Sequence, residues 1–303
     1  MYDIIIIGAG PAGMTASIYA RRALKKVLVL EAVSYGGQII NTLDIENYPV
    51  ESHISGFDFS TKLYNQAVDL GAKFVFEKCL KIDKNNSFFE VFTSNSKYQC
   101  KSVILATGAD SRKLGIDREE NFIGKGLSYC ATCDGAFYKK KDVAIVGGGN
   151  TALEDALYLS NICNKVYLIH RRDEFRGDVS VVSKIKEKNN IEIIYNSNVT
   201  KLLGDKKIES IEVSNLDGSK CIIEVSGLFI AIGKIPENEN FKNMIEIDEN
   251  GYIVASENCH TNVNGVFVAG DNRTKLLRQL VTATSDGAIA ATEAIHYLEN
   301  NIK

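Results

Sequence analysis

The 303-residue chain has scattered cysteines, four histidines, a net charge of only −3 and no long apolar run. These absences exclude several fates. The most apolar run, Ile4-Ile5-Ile6-Ile7, falls far short of the roughly 20 residues of a membrane span and reads as a buried strand. Gly8 and Pro11 interrupt the N-terminus where the apolar core of a signal peptide would continue, so none is expected. The small net charge gives no field to hold a nucleic acid or a lipid surface. Seven cysteines are too few and too scattered for a disulfide scaffold in a chain this long. Cys79, Cys100, Cys163, Cys221 and Cys259 stand alone and read as reduced packing residues. A reducing, cytoplasmic setting is therefore expected.

Two segments carry a nucleotide-binding pattern. Asp3–Ile7 is a strand ending at Gly8-Ala9-Gly10-Pro11-Ala12-Gly13, followed by an amphipathic helix over 14–24 and a second strand, Val27–Leu30, ending at Glu31. The glycines allow a tight turn and the close approach of a pyrophosphate, and the helix N-terminus offers free N–H groups and a positive dipole end. Glu31 stands where a carboxylate accepts hydrogen bonds from an adenosine ribose diol.

The pattern recurs at Asp142–Val146, Gly147-Gly148-Gly149-Asn150-Thr151-Ala152, a helix over 153–163 and a strand Val166–Ile169. Aligning Gly8 with Gly147 brings Glu31 onto His170. There the carboxylate is lost, and Arg171, Arg172 and Arg176 follow. A carboxylate would repel a 2′-phosphate and guanidinium groups bind one, so this second site is expected to take NADPH. Local pairing of the arginines with Asp173 and Glu174 is the competing account. Two dinucleotide sites in one chain point to a flavoprotein in which NADPH reduces bound FAD.

The expected architecture is α/β, with two Rossmann-like dinucleotide-binding domains. The NADPH domain (112–240) is inserted into an FAD domain made of 1–111 and 241–303. The C-terminal part carries the strand Gly265–Asp271 and a helix over 285–300. The chain crosses between domains twice, near 111–115 and near 234–240, which makes a pair of hinges.

Within the inserted segment lies Cys130-Ala131-Thr132-Cys133-Asp134-Gly135. A zinc site needs two further ligands, and the other cysteines and His53, His170, His260 and His296 supply no second CxxC, CxxH or HxxxH. A structural disulfide closing so short a loop adds little stability. A redox pair remains, one thiolate attacking and the second thiol resolving. Asp134 is the nearest titratable group and a candidate acid–base residue, although Asp-Gly is also a good turn dipeptide.

The order and spacing of GAGPAG, Gly36-Gly37-Gln38, Glu46-Asn47-Tyr48-Pro49, CATCDG, GGGNTA, HRRDEFR and GVFVAGD resemble the bacterial low-molecular-weight thioredoxin reductases over the whole chain. The resemblance implies a homodimer and a thioredoxin or similar redoxin as electron acceptor; from charge, apolar runs and ligand spacing no nucleic acid, membrane or metal is expected. It implies that Cys133 lies next to the flavin, that Cys130 attacks the partner disulfide and that Asp134 handles protons. FAD contacts are implied at Gly8, Gly10, Pro11, Ala12, Gly13, Glu31, Gly37, Gln38, Asn47, Ala106, Thr107, Gly108, Gly270, Asp271, Arg278 and Gln279. NADPH contacts are implied at Gly147, Gly149, Asn150, Thr151, Ala152, His170, Arg171, Arg172 and Arg176. Small departures occur at Val50, Thr151 and Ile235-Pro236-Glu237.

Competing readings keep the fold but change the donor or acceptor. A ferredoxin-fed reductase would have no use for the arginines after His170. An oxygen-using dithiol oxidase would run the chemistry backward, and a peroxiredoxin reductase would carry an extra thioredoxin-like domain before Tyr2. A nucleotide-binding sensor would leave CATCDG unexplained.

Overall fold

β1 (Tyr2–Ile7) carries the isoleucine run into a sheet interior, where Ile4, Ile5, Ile6 and Ile7 are all buried. Each such side chain contributes about 1.5–3 kcal/mol relative to exposure. The computed structural model describes residues 1–42, 44–85 and 87–301. It contains two compact units, Met1–Asp110 with Ile235–Lys303, and Ser111–Lys234.

In the first unit α1 (Pro11–Arg22) begins three residues earlier than its apolar periodicity implies. Gly10 caps it in an extended conformation, and Pro11 suits the first helical position because its missing N–H has no intrahelical partner to lose. After it come β2 (Val27–Glu31), α2 (Gly56–Asp69) and β3 (Lys73–Phe76). An antiparallel meander follows, β4 (Cys79–Lys84), β5 (Phe89–Thr93) and the long β6 (Lys97–Leu105), and then the short β7 (Ala109–Ser111).

The second unit holds β8 (Leu127–Ser128), the one-turn α3 (Ala131–Asp134), β9 (Asp142–Val146), α4 (Asn150–Ser160) and β10 (Lys165–Ile169). It continues with α5 (Val179–Lys186), β11 (Ile191–Ile194), the meander β12 (Ser197–Leu203), β13 (Ser210–Asn215) and β14 (Lys220–Glu224), and β15 (Gly227–Ile230). The chain returns through β16 (Lys234–Pro236) to β17 (Val266–Val268) and α6 (Leu280–Asn301), which starts earlier than expected.

The first sheet has the order β3-β2-β1-β6-β5-β4, with β17 also on β6; its pairings are parallel except those of β5 with β4 and β6. β6 changes partner along its length, pairing antiparallel with β5 through residues 97–100 and parallel with β17 through 103–105. The second sheet is parallel throughout, β11-β10-β9-β15-β8. Strand order reverses beside β1 in one sheet and beside β9 in the other. In each case the crevice beyond the strand ends is where such sheets bind ligands.

α1 and α6 approach closely. Ala12, Ala16 and Ala20 share one buried cluster with Ala290, Ala291 and Ala294, and a Cβ on Gly287 would sit 2.2 Å from the Ala12 carbonyl oxygen.

Residues 235–240, expected with the inserted domain, pack with the first unit. Asn238 donates to the carbonyls of Gly251 and Asn272, and Phe241 is buried beside Ile245. Among the described residues no helix is long and apolar enough to cross a membrane.

Candidate functional sites

The glycine-rich turns of the two units leave room and close contacts at matching positions, although only Gly8 among their first glycines has a left-handed φ, 108°. At the first position, a Cβ on Gly8 would lie 2.2 Å from the Ala106 carbonyl oxygen, and one on Gly147 would lie 2.4 Å from that of Ala231. Ala106 and Ala231 each follow the strand across the switch point, so the first glycine lets turn and strand touch. At the second position a Cβ on Gly10 or Gly149 would meet nothing within 4 Å. Those glycines leave open space, and neither helix N-terminus is capped by a side chain. At the third position a Cβ on Gly13 would lie 1.9 Å from the Gly8 carbonyl oxygen, whereas Ala152 fits fully buried. Free N–H groups facing open space fit a dinucleotide pyrophosphate in both units.

In the first unit Glu31 Oε2 accepts from Ala9 N–H at 2.8 Å and Oε1 from Val33 N–H at 3.1 Å. Its carboxylate is thus fixed at the end of β2, where a ribose diol would be read. Gly37 packs beside Gly10, with a hypothetical Cβ 3.2 Å from the Gly10 Cα. Gln38 donates to the Ala109 carbonyl and to Asp110 Oδ1, both at 2.7 Å, so its amide fastens the loop after β6. Asn47 donates to Gln279 Oε1, and Arg278 stacks 4.1 Å over the Tyr252 ring while donating to the Asp271 carbonyl. Thr107 lies in a chain with Asn238 and Asn272, whose amide reaches Thr107 Oγ1 at 3.0 Å.

The turn Gly270-Asp271 rests on a network absent from the sequence reading. Asp286 accepts from Gly270 N–H at 2.9 Å, from Arg273 Nε and Nη2 at 2.8 Å each, and from Lys275 Nζ at 2.8 Å. Arg273 is fully buried. Burial pushes the Asp286 carboxyl up, but Arg273 and Lys275 together hold it below its ordinary value. The only trace in the sequence is an acid near the start of an alanine-rich helix.

In the second unit the residues after β10 divide by burial. His170 is buried, its ring packed over Gly148 and its Nε2 3.1 Å from the Glu174 carbonyl oxygen. Burial lowers its pKa, the Glu174 carbonyl opposes this and the three arginines add to it. Arg171, Arg172 and Arg176 are exposed. Among the described residues none of the three pairs with Asp173, Glu174 or another acid. Local neutralisation is therefore not what occupies them. Asn150 is tied to Asp178 by two hydrogen bonds, which hold the arginine loop to α4, and Thr151 is exposed.

Cys130 and Cys133 form a disulfide across the single turn of α3, with Cα atoms 5.3 Å apart and both residues half-buried. The backbone of Asp134 closes the turn, its N–H donating to the Cys130 carbonyl at 3.1 Å. Burial raises the Asp134 pKa, and a 2.6 Å hydrogen bond from Ser128 Oγ opposes the rise. Gly135 has φ of −58°, so no left-handed turn demands it. It is small because a Cβ would press within 3.0 Å of the Tyr158 ring.

The remaining cysteines are free, and all but Cys221 are buried. Burial pushes the thiols of Cys79, Cys100 and Cys259 up to about 12, which makes them poor nucleophiles. Among the described residues the one cluster with metal-ligand spacing, Asp44, Glu46 and His53, involves none of the residues above.

The pyridine nucleotide-disulphide oxidoreductase family model matches residues 2–287. The chain is 42% identical over 301 residues to a thioredoxin reductase of Listeria innocua, covering 99% of this chain and 94% of that one. It is similar to the solved thioredoxin reductase of Streptococcus pyogenes, with a TM-score of 0.94, 38% identity and coverage of 99% and 98%. The Lactococcus lactis enzyme in its "FR conformation" gives a TM-score of 0.69 at the same 38% identity, with 99% of both chains covered.

Proposed function

Because the chain belongs to the pyridine nucleotide-disulphide oxidoreductase family, we propose that it reduces the disulfide of thioredoxin with NADPH, through FAD and the Cys130–Cys133 pair. The observation that carries this reading is the disulfide itself, set in the same unit as a glycine turn flanked by three unpaired arginines. The first unit, with Gly10 open and Glu31 fixed, would hold FAD. The second would hold NADPH through Gly149 and Arg171, Arg172 and Arg176. Bound FAD supplies the two-electron relay between hydride donor and disulfide.

The protein's own groups carry the remaining chemistry. Once the pair is reduced, the Cys130 thiolate attacks one sulfur of the thioredoxin disulfide, forming a mixed disulfide and releasing a thiolate. Asp134 in its acid form delivers a proton to that leaving sulfur. The Cys133 thiolate then attacks Cys130, restoring the Cys130–Cys133 disulfide and releasing the second thioredoxin sulfur, which is protonated in turn. Thioredoxin leaves as a dithiol, two electrons and two protons richer.

The second unit would rotate as a body between the two half-reactions. The two crossings run side by side, with Arg112 N–H bonded to the Gly233 carbonyl and Glu237 N–H to the Gly108 carbonyl. Gly108 and Gly233 both have left-handed φ values, 73° and 109°. The spread of TM-scores between 0.94 and 0.69 at equal identity supports rigid units in more than one orientation across the family.

Homodimer assembly and a cytoplasmic setting belong to the same proposal. A ferredoxin donor is disfavoured by the free arginines. The test is an anaerobic titration of the yellow protein with NADPH and with NADH, followed by oxidised thioredoxin. Stoichiometric bleaching by NADPH and re-oxidation by thioredoxin are expected. A protein that bleaches but is not re-oxidised by thioredoxin would refute the acceptor assignment.

A further inference from the structure

Ser128 stands two residues before the cysteine motif, at the end of the edge strand β8, paired in register with Phe229 and 5% exposed. Its hydroxyl accepts from Cys130 N–H at 3.0 Å. It has one proton to donate and two acceptors in reach, Asp134 Oδ2 at 2.6 Å and the Cys130 carbonyl at 3.3 Å. The shorter contact to a carboxylate takes the proton. Asp134 Oδ2 is thereby occupied as an acceptor, and among the described residues no group donates to Oδ1.

We propose that Ser128 is the positioning residue for the proton step of dithiol exchange: it engages Oδ2 of Asp134 and leaves Oδ1 as the oxygen that trades the proton. The inference rests on the functional reading above. When Asp134 acts as an acid, the Oδ1–H bond breaks as the leaving thiolate of the partner takes the proton. The resulting carboxylate is stabilised by the Ser128 hydroxyl already in place. Ser128 belongs to the sheet and not to the α3 turn, so its backbone is held by the pairing with Phe229.

Few other groups face Asp134. Cys130 and Cys133 share its turn. Tyr138, at the end of the following turn, has its phenol pushed up to about 12 by burial first, then by Asp134 and Cys163. α4 brings Tyr158 against Gly135, and β8 contributes Ser128 itself. Among the described residues no Lys, Arg or His pairs with Asp134.

Two measurements on the FAD-loaded enzyme test the proposal. Pre-reduced enzyme is mixed with thioredoxin in a stopped-flow instrument as a function of pH. Separately, the Asp134 carboxyl is titrated in the oxidised enzyme by difference infrared spectroscopy, its band identified by loss in Asp134→Asn. Ser128→Ala is expected to raise both the kinetic limb and the infrared midpoint by about one unit or more, the size of a lost hydrogen bond to a charged group. A Ser128→Ala enzyme that is uniformly slower with both midpoints unmoved would overturn the proposal and make Ser128 a packing residue. If wild-type dithiol fails to reduce thioredoxin, the acceptor assignment fails by itself. The same pH series with a small aromatic disulfide then decides the role of Ser128.

Discussion

Replacing Asp286 by Asn will show how far burial sets the worth of an ion pair in the first unit. Asp286 is 3% exposed and accepts from four donors at 2.8–2.9 Å. An amide keeps the shape and one acceptor, but removes the charge and turns a donor toward two cations. Arg273 would then retain only the exposed Glu257 at 3.4 Å as a counter-charge. Breaking a buried pair from one side costs about 3–5 kcal/mol. At about 2–4 °C per kcal/mol for a unit of this size, the thermal midpoint should fall by about 6–20 °C.

The control is Asp83→Asn, which breaks an equally short pair, Lys81–Asp83 at 2.7 Å, whose side chains are 64% and 39% exposed. An exposed pair is worth about 0–1 kcal/mol, so that midpoint should move by less than about 4 °C. Calorimetry with FAD in large excess keeps cofactor loss from masquerading as unfolding. The Asp286 pKa is depressed in the folded protein, so its contribution is complete above the unfolded carboxyl value of about 3.9 and disappears as pH falls through the lower folded value. The gap between wild type and Asp286→Asn should therefore close only in strong acid. An Asp286→Asn midpoint within the range of Asp83→Asn at neutral pH would refute the reasoning.

Arg171→Ala with Arg172→Ala should weaken NADPH about tenfold to a few hundredfold and leave NADH nearly unchanged, measured by KM for each nucleotide. Cys130→Ser and Cys133→Ser should each abolish thioredoxin reduction while NADPH still bleaches the flavin; serine at Cys79, Cys100, Cys163, Cys221 or Cys259 should leave turnover near normal. Gly10→Ala should give a folded protein that loses FAD, because its Cβ enters the open space of the turn. Gly8→Ala should damage folding itself, since its Cβ meets a carbonyl oxygen at 2.2 Å, as calorimetry and bound-flavin absorbance together will separate. A cross-link fixing one unit against the other should allow one half-reaction and block the other, and normal turnover in the locked enzyme would remove the rotation step.

Both strand–turn–helix units were legible because apolar runs and glycine spacing are local signals; Gly8 and Gly13 leave no room for a Cβ, and Gly10 and Gly149 face open space. The starts of α1 and α4 were read three residues late, since apolar periodicity begins only after the turn while Pro11 and Asn150 are already helical. The meander β12–β14 left little trace, because β14 is a largely exposed edge strand without apolar alternation. The Arg273–Asp286 pair joins a loop to a helix across thirteen residues and belongs to no short motif. Ser128 was missed for lying just outside the cysteine motif. His170 was grouped with the arginines by sequence, yet burial separates it from them.

The packing of α6 on α1, with Gly287 against the Ala12 carbonyl, has a consequence for synthesis at the ribosome. Residues 111–234 form an uninterrupted unit and can fold as soon as they emerge, whereas the unit begun at Met1 lacks β17 and α6 until nearly the whole chain has been made. At about 5–20 residues per second, α6 appears roughly 10–35 s after the first 110 residues. During that interval the alanine face of α1 and the 103–105 stretch of one edge of β6 have no partner. The isoleucine-rich sheet then stays incomplete at this edge, and the second unit is complete before the first.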